Sequence, residues 1–264
     1  MEATVNDIVK IMDGIAPPDL AEAWDNVGLL VGRGSSAVKK LMVALDVSPE
    51  VVEQAMEHKV QMIVTHHPVI FDPIKKMTDR TWQHKLLLDC AENKIAVYSA
   101  HTSLDSVLGG VNDVLAEKMG LLHTEVLAPA ASGAAGLGRV GHLPEAMTLQ
   151  DFAEKVKAVL QLEKVTVGDA GRMVNKVALC GGAGADFIGE ALAAGADTFV
   201  TGDVKYHAAQ QAVYSGLNII DATHQGTELP VINTLADRIA LRLTSCGFRT
   251  QVLVAKESKI LQCL

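Results

Sequence analysis

Met62-Ile63-Val64-Thr65-His66-His67-Pro68 is an apolar, β-branched run that ends in two adjacent histidines. Such a run reads as a buried strand. Side chains at its carboxyl end stand where open α/β sheets place their sites. Neighbouring side chains of a regular strand point to opposite faces. Both imidazoles can therefore serve one site only if the strand ends or bends at His66. Pro68 favours such a break.

Two further apolar runs end in the same way. His101-Thr102-Ser103-Leu104-Asp105 follows Ile95-Ala96-Val97-Tyr98-Ser99-Ala100, and His224-Gln225-Gly226-Thr227-Glu228 follows Leu217-Asn218-Ile219-Ile220-Asp221-Ala222. One such histidine alone reads as a hydrogen-bonded core residue, and one aspartate after a strand as a helix cap. Three strand ends carrying these groups together point to a metal site. His66, His67, Asp105, His224 and Glu228 form a nitrogen and oxygen donor set without thiolate, which suits Zn, Fe(II), Mn or Ni. Five donors exceed the four of a structural zinc site. They suit two divalent ions per chain, roughly 3.5–4 Å apart. His101 is expected to orient a ligand or carry a proton rather than to bind metal. The spacing matters here: residues four apart are neighbours on a helical turn but lie ~13 Å apart in extended chain.

Working outward, Val5, Ile8, Val9, Met12 and Ile15 share one helical face behind a cap-like Thr4, and Pro17-Pro18 ends the helix. Strands are expected at 28–32 and 41–47, then a helix opened by Ser48-Pro49. A helix over 82–92, the 95–100 strand and a helix over 110–119 complete a first half. The second half repeats this order: helix 148–160, strands at 165–167 and 176–180, helix 187–194, strand 198–203, a helix through Tyr214, strand 217–222, helix 230–243 and strand 249–254. Val64-Thr65-His66 matches Val200-Thr201-Gly202, and H-x-x-x-D matches H-x-x-x-E. The small-residue stretch around Ala128 to Gly136 lacks periodicity and reads as a linker. The expected organisation is a first α/β repeat over 1–127, a linker over 128–137, and a second α/β repeat over 138–264. The two sheets are related, and the metal site falls between the repeats.

Composition narrows the function classes. The chain has 264 residues, 49% hydrophobic and only 4% aromatic, with a net charge of -8. An acidic balance disfavours nucleic acid as a partner. No run approaches the ~18 apolar residues of a membrane span, and the start shows no signal-peptide pattern. The four cysteines lie far apart, in keeping with reduced thiols and a cytoplasmic location. No nucleophile elbow or Walker loop is present. Cys180-Gly181-Gly182-Ala183-Gly184 sits between a strand and a helix. It reads either as a turn or as backbone that a phosphate could approach. Gly202-Asp203-Val204-Lys205-Tyr206-His207 reads either as substrate contact and acid/base work or as caps and surface charge. Trp24-Asp25-Asn26-Val27-Gly28 reads as an aromatic anchor and turn.

These segments resemble one family. W-D-N-V-G-L-L-V-G at 24–32, T-H-H-P at 65–68, A-H-T-S-L-D at 100–105, C-G-G-A-G at 180–184, T-G-D-V-K-Y-H at 201–207 and H-Q-G-T-E at 224–228 occur in the order seen in the NIF-three-like family, the type 2 GTP cyclohydrolase I-like dinuclear metal proteins. The resemblance implies two intertwined α/β repeats with mixed sheets. It also implies a two-metal site at His66, His67, Asp105, His224 and Glu228, with Glu228 bridging, and a ring-shaped homohexamer. The extra domain that some members carry between the halves has no counterpart here.

The expectation is a metal-dependent hydrolase of a nucleotide-like small molecule. GTP ring opening with formate release is the reaction the family label suggests. His101 or His207 would move the proton. The alternatives are a metal-dependent phosphoesterase and a non-catalytic metal-binding or regulatory scaffold.

Overall fold

The computed structural model describes residues 1–130, 133 and 135–262. Cα proximity groups the chain into two units that interleave in sequence. The first joins Met1–Leu104 with Ile232–Ser258, and the second joins Asp105–Val231 with the residues from Lys259 on.

In the first unit the chain runs through β1 (Ala3–Thr4), α1 (Val5–Ile15), β2 (Gly28–Val31), β3 (Ala37–Val38), β4 (Lys40–Ala44), α2 (Pro49–Glu57), β5 (Met62–Thr65), α3 (Trp82–Glu92) and β6 (Ala96–Ser99). The short helix α4 (Thr102–Ser106) carries it into the second unit, which holds α5 (Val111–Met119), β7 (Leu122–Pro129), β8 (Gly136–Met147), α6 (Leu149–Leu160), β9 (Thr166–Gly168), β10 (Val174–Leu179), α7 (Ile188–Ala193), β11 (Thr198–Thr201), α8 (Tyr206–Tyr214), β12 (Asn218–Asp221) and α9 (His224–Glu228). Helix α10 (Pro230–Ser245) and β13 (Gln251–Val254) bring it back.

Local chemistry starts the helices where the sequence predicts. The Thr4 hydroxyl accepts from Asp7 N, and the Asp7 carboxylate accepts from Thr4 N, a reciprocal cap on α1. The side chain of Ser48 caps α2 with Pro49 in its first turn, and that of Thr148 caps α6.

The first unit carries a five-stranded sheet in the order β13-β4-β5-β6-β2. Its first four strands are parallel and β2 closes the edge antiparallel. Met42, Ala44, Ile63 and Val97 pack on α2 and α3 through Val51, Val52, Leu86 and Cys90. The second unit carries a six-stranded sheet in the order β7-β8-β10-β11-β12-β9, parallel only from β10 to β12. Both its faces are covered. Val177, Leu179, Val200 and Ile220 face α5 and α6, while Ala178, Phe199 and Ile219 face α7 and α8. Strands buried on both faces read as unbroken apolar runs, as these do.

The duplication is visible in the topology. The series α1, β2, β4, α2, β5, α3, β6, α4, α5 is answered by α6, β9, β10, α7, β11, α8, β12, α9, α10. The register corrects one detail. Thr65 pairs with Ser99 and Thr201 pairs with Asp221, so Ser99 and Asp221 are equivalent. His101 and Thr223 then both lie two residues beyond. His224 is equivalent to Thr102, and the H-x-x-x-D and H-x-x-x-E segments are displaced by one position rather than superposed.

The chain also divides at other points than the halves expected at 127 and 138. Residues 105–127 group with the second unit, because Leu115, Ala116 and Met119 of α5 bury against Phe152 and Val156 of α6. Residues 232–258 group with the first, where β13 pairs with β4. The expected linker is mostly strand where it is described: Ala128 pairs with Leu137 and Pro129 with Gly136 in the β7–β8 hairpin. Ala131, Ser132 and Ala134 of that stretch lie outside the described residues. Small residues concealed the hairpin, since Gly136 and Gly138 take positive φ at positions where a Cβ would strike backbone.

Candidate metal centre

In the first unit the parallel strands deliver their side chains at the carboxyl edge. β5 ends at Thr65 and the chain bends at His66 and His67, as both imidazoles require. Asp46 lies two residues past β4, His67 two past β5 and His101 two past β6. His66 is fully buried. One ring nitrogen from each of His66, His67 and His101 lies within 4.8 Å of the others, a group that could hold a metal ion. His101 thus stands among the candidate donors, nearer to metal chemistry than the sequence suggests.

Each ring of this cluster is held through Nδ1. His66 Nδ1 donates to the Ala100 carbonyl at 3.3 Å, His67 Nδ1 to Asp46 Oδ1 at 3.0 Å, and His101 Nδ1 to Asp25 Oδ1 at 2.9 Å. Asp25 also accepts from the backbone N–H and the hydroxyl of Thr102. Burial opposes the charge on Asp25. The hydrogen bonds from His101 and Thr102 and the His101 charge outweigh it, holding the carboxyl well below the usual range. Behind Asp46, the carboxylate of Glu257 accepts from Leu45 N at 2.6 Å and Asp46 N at 3.0 Å, and burial pushes its own pKa up.

In the second unit α9 places His224 and Glu228 one helical turn apart, with Nε2 3.2 Å from Oε2. His224 Nδ1 donates to Asp203 Oδ2 at 2.8 Å. A proton on Nε2 or a shared metal cation would each make that approach attractive. Asp105 and Glu228 offer carboxylate oxygens within 4.8 Å of each other. Burial, and then these two charges, push the Cys180 thiol far above its ordinary range.

The C-G-G-A-G stretch shapes this corner as a turn. Gly181 N donates to Asn112 Oδ1, Gly182 N to Thr227 Oγ1 and Gly184 N to Thr201 Oγ1. These amides are committed to side chains, so the phosphate-approach reading gives way. Asn112 Nδ2 also donates to the Asp105 carbonyl, tying α4 to the same loop.

The remaining predicted residue, His207, lies exposed in the first turn of α8 with its ring edge-on to Tyr206. Asp25, Asp46 and Asp203 hold the rings of His101, His67 and His224 although no sequence motif marks them as ring partners. Position carried the signal for two of them. Asp46 and Asp203 each stand two residues past a parallel strand, the offset that also yields His67 and His101.

Metal-ligating histidines characteristically donate the second ring N–H to a carboxylate or carbonyl, which fixes the tautomer and leaves the other nitrogen as donor to the ion. His66, His67, His101 and His224 all make such an Nδ1 bond to a carbonyl or carboxylate. The donor set therefore fits divalent metal.

The same chain matches a family model. Residues 3–259 fit the Duf34/NIF3 (NGG1p interacting factor 3) model. This chain belongs to the Duf34/NIF3 family. It is 36% identical over 257 residues to the GTP cyclohydrolase 1 type 2 homolog of Clostridium perfringens, covering 97% of each chain. It is also 36% identical over 261 residues to the protein of that name from Clostridium acetobutylicum, covering 98% of this chain and 97% of that one. A Bacillus cereus protein related to NIF3 shares the fold with a TM-score of 0.95 at 26% identity over the whole of both chains. The Duf34/NIF3 fold is thus two related α/β repeats with mixed sheets, and its buried His, Asp and Glu groups could hold a metal ion. Among the described residues, no helix is long and apolar enough to cross a membrane.

Proposed function

We propose that this Duf34/NIF3 protein is a metal-dependent hydrolase of a nucleotide or similar heterocycle. GTP ring opening with formate release is the first reaction to test, suggested by the names of its relatives. His66, His67, Asp105, His224 and Glu228 would hold two divalent ions, Zn, Fe, Mn or Ni by donor chemistry. The observation that carries this reading is the common anchoring of the histidines, each with Nδ1 bonded to an oxygen acceptor, beside carboxylates close enough to share an ion with them. Bound divalent ions supply a lowered pKa for water and polarisation of a substrate oxygen.

The residues of the chain do the rest. Asp105 and Glu228 bring negative charge that would offset the charge of bound ions. His101 takes the proton of the attacking water at Nε2, while Asp25 holds Nδ1 and stabilises the imidazolium that forms. His101 is preferred to His207 for this step because its ring is fixed beside His66 and His67, whereas His207 is exposed. A homohexamer and a cytoplasmic location are carried over from the resemblance and the cysteine pattern.

The test is formate release from GTP by protein reloaded separately with Zn, Mn and Fe(II), beside Asp105→Ala and His101→Ala. Formate from the wild type, lost in Asp105→Ala and strongly slowed in His101→Ala, supports the reading. Two ions bound per chain with no formate and no phosphate release would turn it to a metal-binding scaffold. Phosphate release without formate would make it a phosphoesterase.

A further inference from the structure

Aromatic side chains are scarce in this chain, and Tyr98, Phe152 and Phe199 are buried as core. Trp82, Tyr206 and Tyr214 stay in solvent, and so does the pair formed by Trp24 and Phe71. These last two remain 60% and 52% exposed although their ring centroids lie only 5.8 Å apart, tilted by 46°. Both also stand against His101, at 6.0 Å and 6.4 Å with interplanar angles of 74° in each case. Two large rings left in solvent cost free energy of hydration, and solvent-facing aromatic clusters mark binding surfaces.

Their placement is rigid. Trp24 directly precedes Asp25, whose side chain has no exposure and bonds His101 and Thr102. The next residue, Asn26, donates from Nδ2 to the Ile70 carbonyl at 2.7 Å, immediately before Phe71. The Asn26–Ile70 bond thus ties together the two loops bearing the rings, one residue along from the Asp25 carboxylate that orients His101.

We infer that Trp24 and Phe71 form a stacking subsite for a planar heterocycle, a nucleobase in the first instance, which sets the ring of a substrate beside His101. Stacking suits the observation because it needs exposed π faces and no hydrogen-bond code, and any purine can supply the partner. The inference rests on the proposed hydrolase only in taking a nucleotide as the probe.

Trp24 reports on the subsite itself. In a Trp82→Phe background it is the single tryptophan, and binding of GTP and of guanosine is followed by its fluorescence. Isothermal titration covers the variants that lack it. The expected results are quenching by both ligands and accessibility to iodide in the assembled protein. In the Trp82→Phe background, Trp24→Ala should weaken GTP and guanosine roughly ten- to hundred-fold. Trp24→Tyr should restore most of the affinity. Inorganic tripolyphosphate, which has no ring, should bind Trp24→Ala as it binds the parent, with metal content unchanged.

An equal loss of tripolyphosphate affinity, unchanged nucleotide affinity in Trp24→Ala with Phe71→Ala, or a Trp24 closed to iodide would overturn the subsite. The two readings separate cleanly. Ring-dependent binding without turnover leaves the subsite standing and removes the GTP hydrolase. Turnover with an unchanged KM in Trp24→Ala does the reverse.

Discussion

Gly182 and Glu228 occupy the same corner of the second unit: a Cβ on Gly182 would collide with Glu228 Oε1 and lie 3.3 Å from His224 Nε2. Gly182 also has a φ of +66°, where L side chains are disfavoured. Glycine is needed here twice over, for the turn and for the carboxylate.

Gly182→Ala should therefore displace Glu228 and cost about 1 kcal/mol or more in backbone strain. Metal content per chain, measured on protein purified and reloaded, should fall below the wild-type value. Wild-type stoichiometry with an unchanged Tm would show that the corner relaxes freely.

Asp46→Asn and Asp203→Asn should weaken metal binding roughly 10- to 100-fold each, because each removes the charged acceptor that orients His67 or His224. Both carboxylates are about half exposed, at 52% and 53%, so the fold should tolerate the change. Competition against a chelator of known affinity measures this. Affinity equal to wild type in both variants would remove the orienting role.

Arg139 is a second stabilising centre, away from the ligands. Its guanidinium is buried and bidentate to Asp113, with Nε–Oδ1 at 2.7 Å and Nη2–Oδ2 at 2.6 Å, and Nη1 reaches two carbonyls. Asp113→Ala leaves that charge buried without its partner and should cost about 3–5 kcal/mol in urea unfolding. A loss below about 1 kcal/mol would mean that water compensates the arginine.

Alkaline pH should destabilise the protein through buried acids of high pKa. Burial, and then the charge of Asp89, push the Cys90 thiol from 9.0 up to about 12. Burial and Asp13 push the Tyr98 phenol up as well. Above pH 9 the unfolded chain releases the Cys90 proton while the folded chain keeps it, so stability falls as pH rises toward 12. The urea midpoint should drop between pH 8.5 and 10.5, and less in Cys90→Ala. Iodoacetamide at pH 8 should label exposed Cys246 well before Cys90. Fast labelling of Cys90 in the folded protein would contradict both expectations.

Much of this molecule was legible along the chain because local rules governed it. The apolar runs before His66, His101 and His224 are strands because residues buried on both faces leave no polar alternation. Thr4, Ser48 and Thr148 start helices because a cap needs only its own next turn. The imidazoles and carboxylates at those strand ends could be named from position alone. What required tertiary structure was pairing over distance. The carboxylate of Asp25 finds His101 across 76 positions, and Asp46 finds His67 across 21. The β7–β8 hairpin hid among small residues whose positive φ answers to close backbone neighbours. Helix α5 joined the second unit rather than the first because its apolar face buries against α6 and β8, a choice that local propensity does not record. Periodicity reports which face of an element is apolar. Only the folded chain decides what covers it.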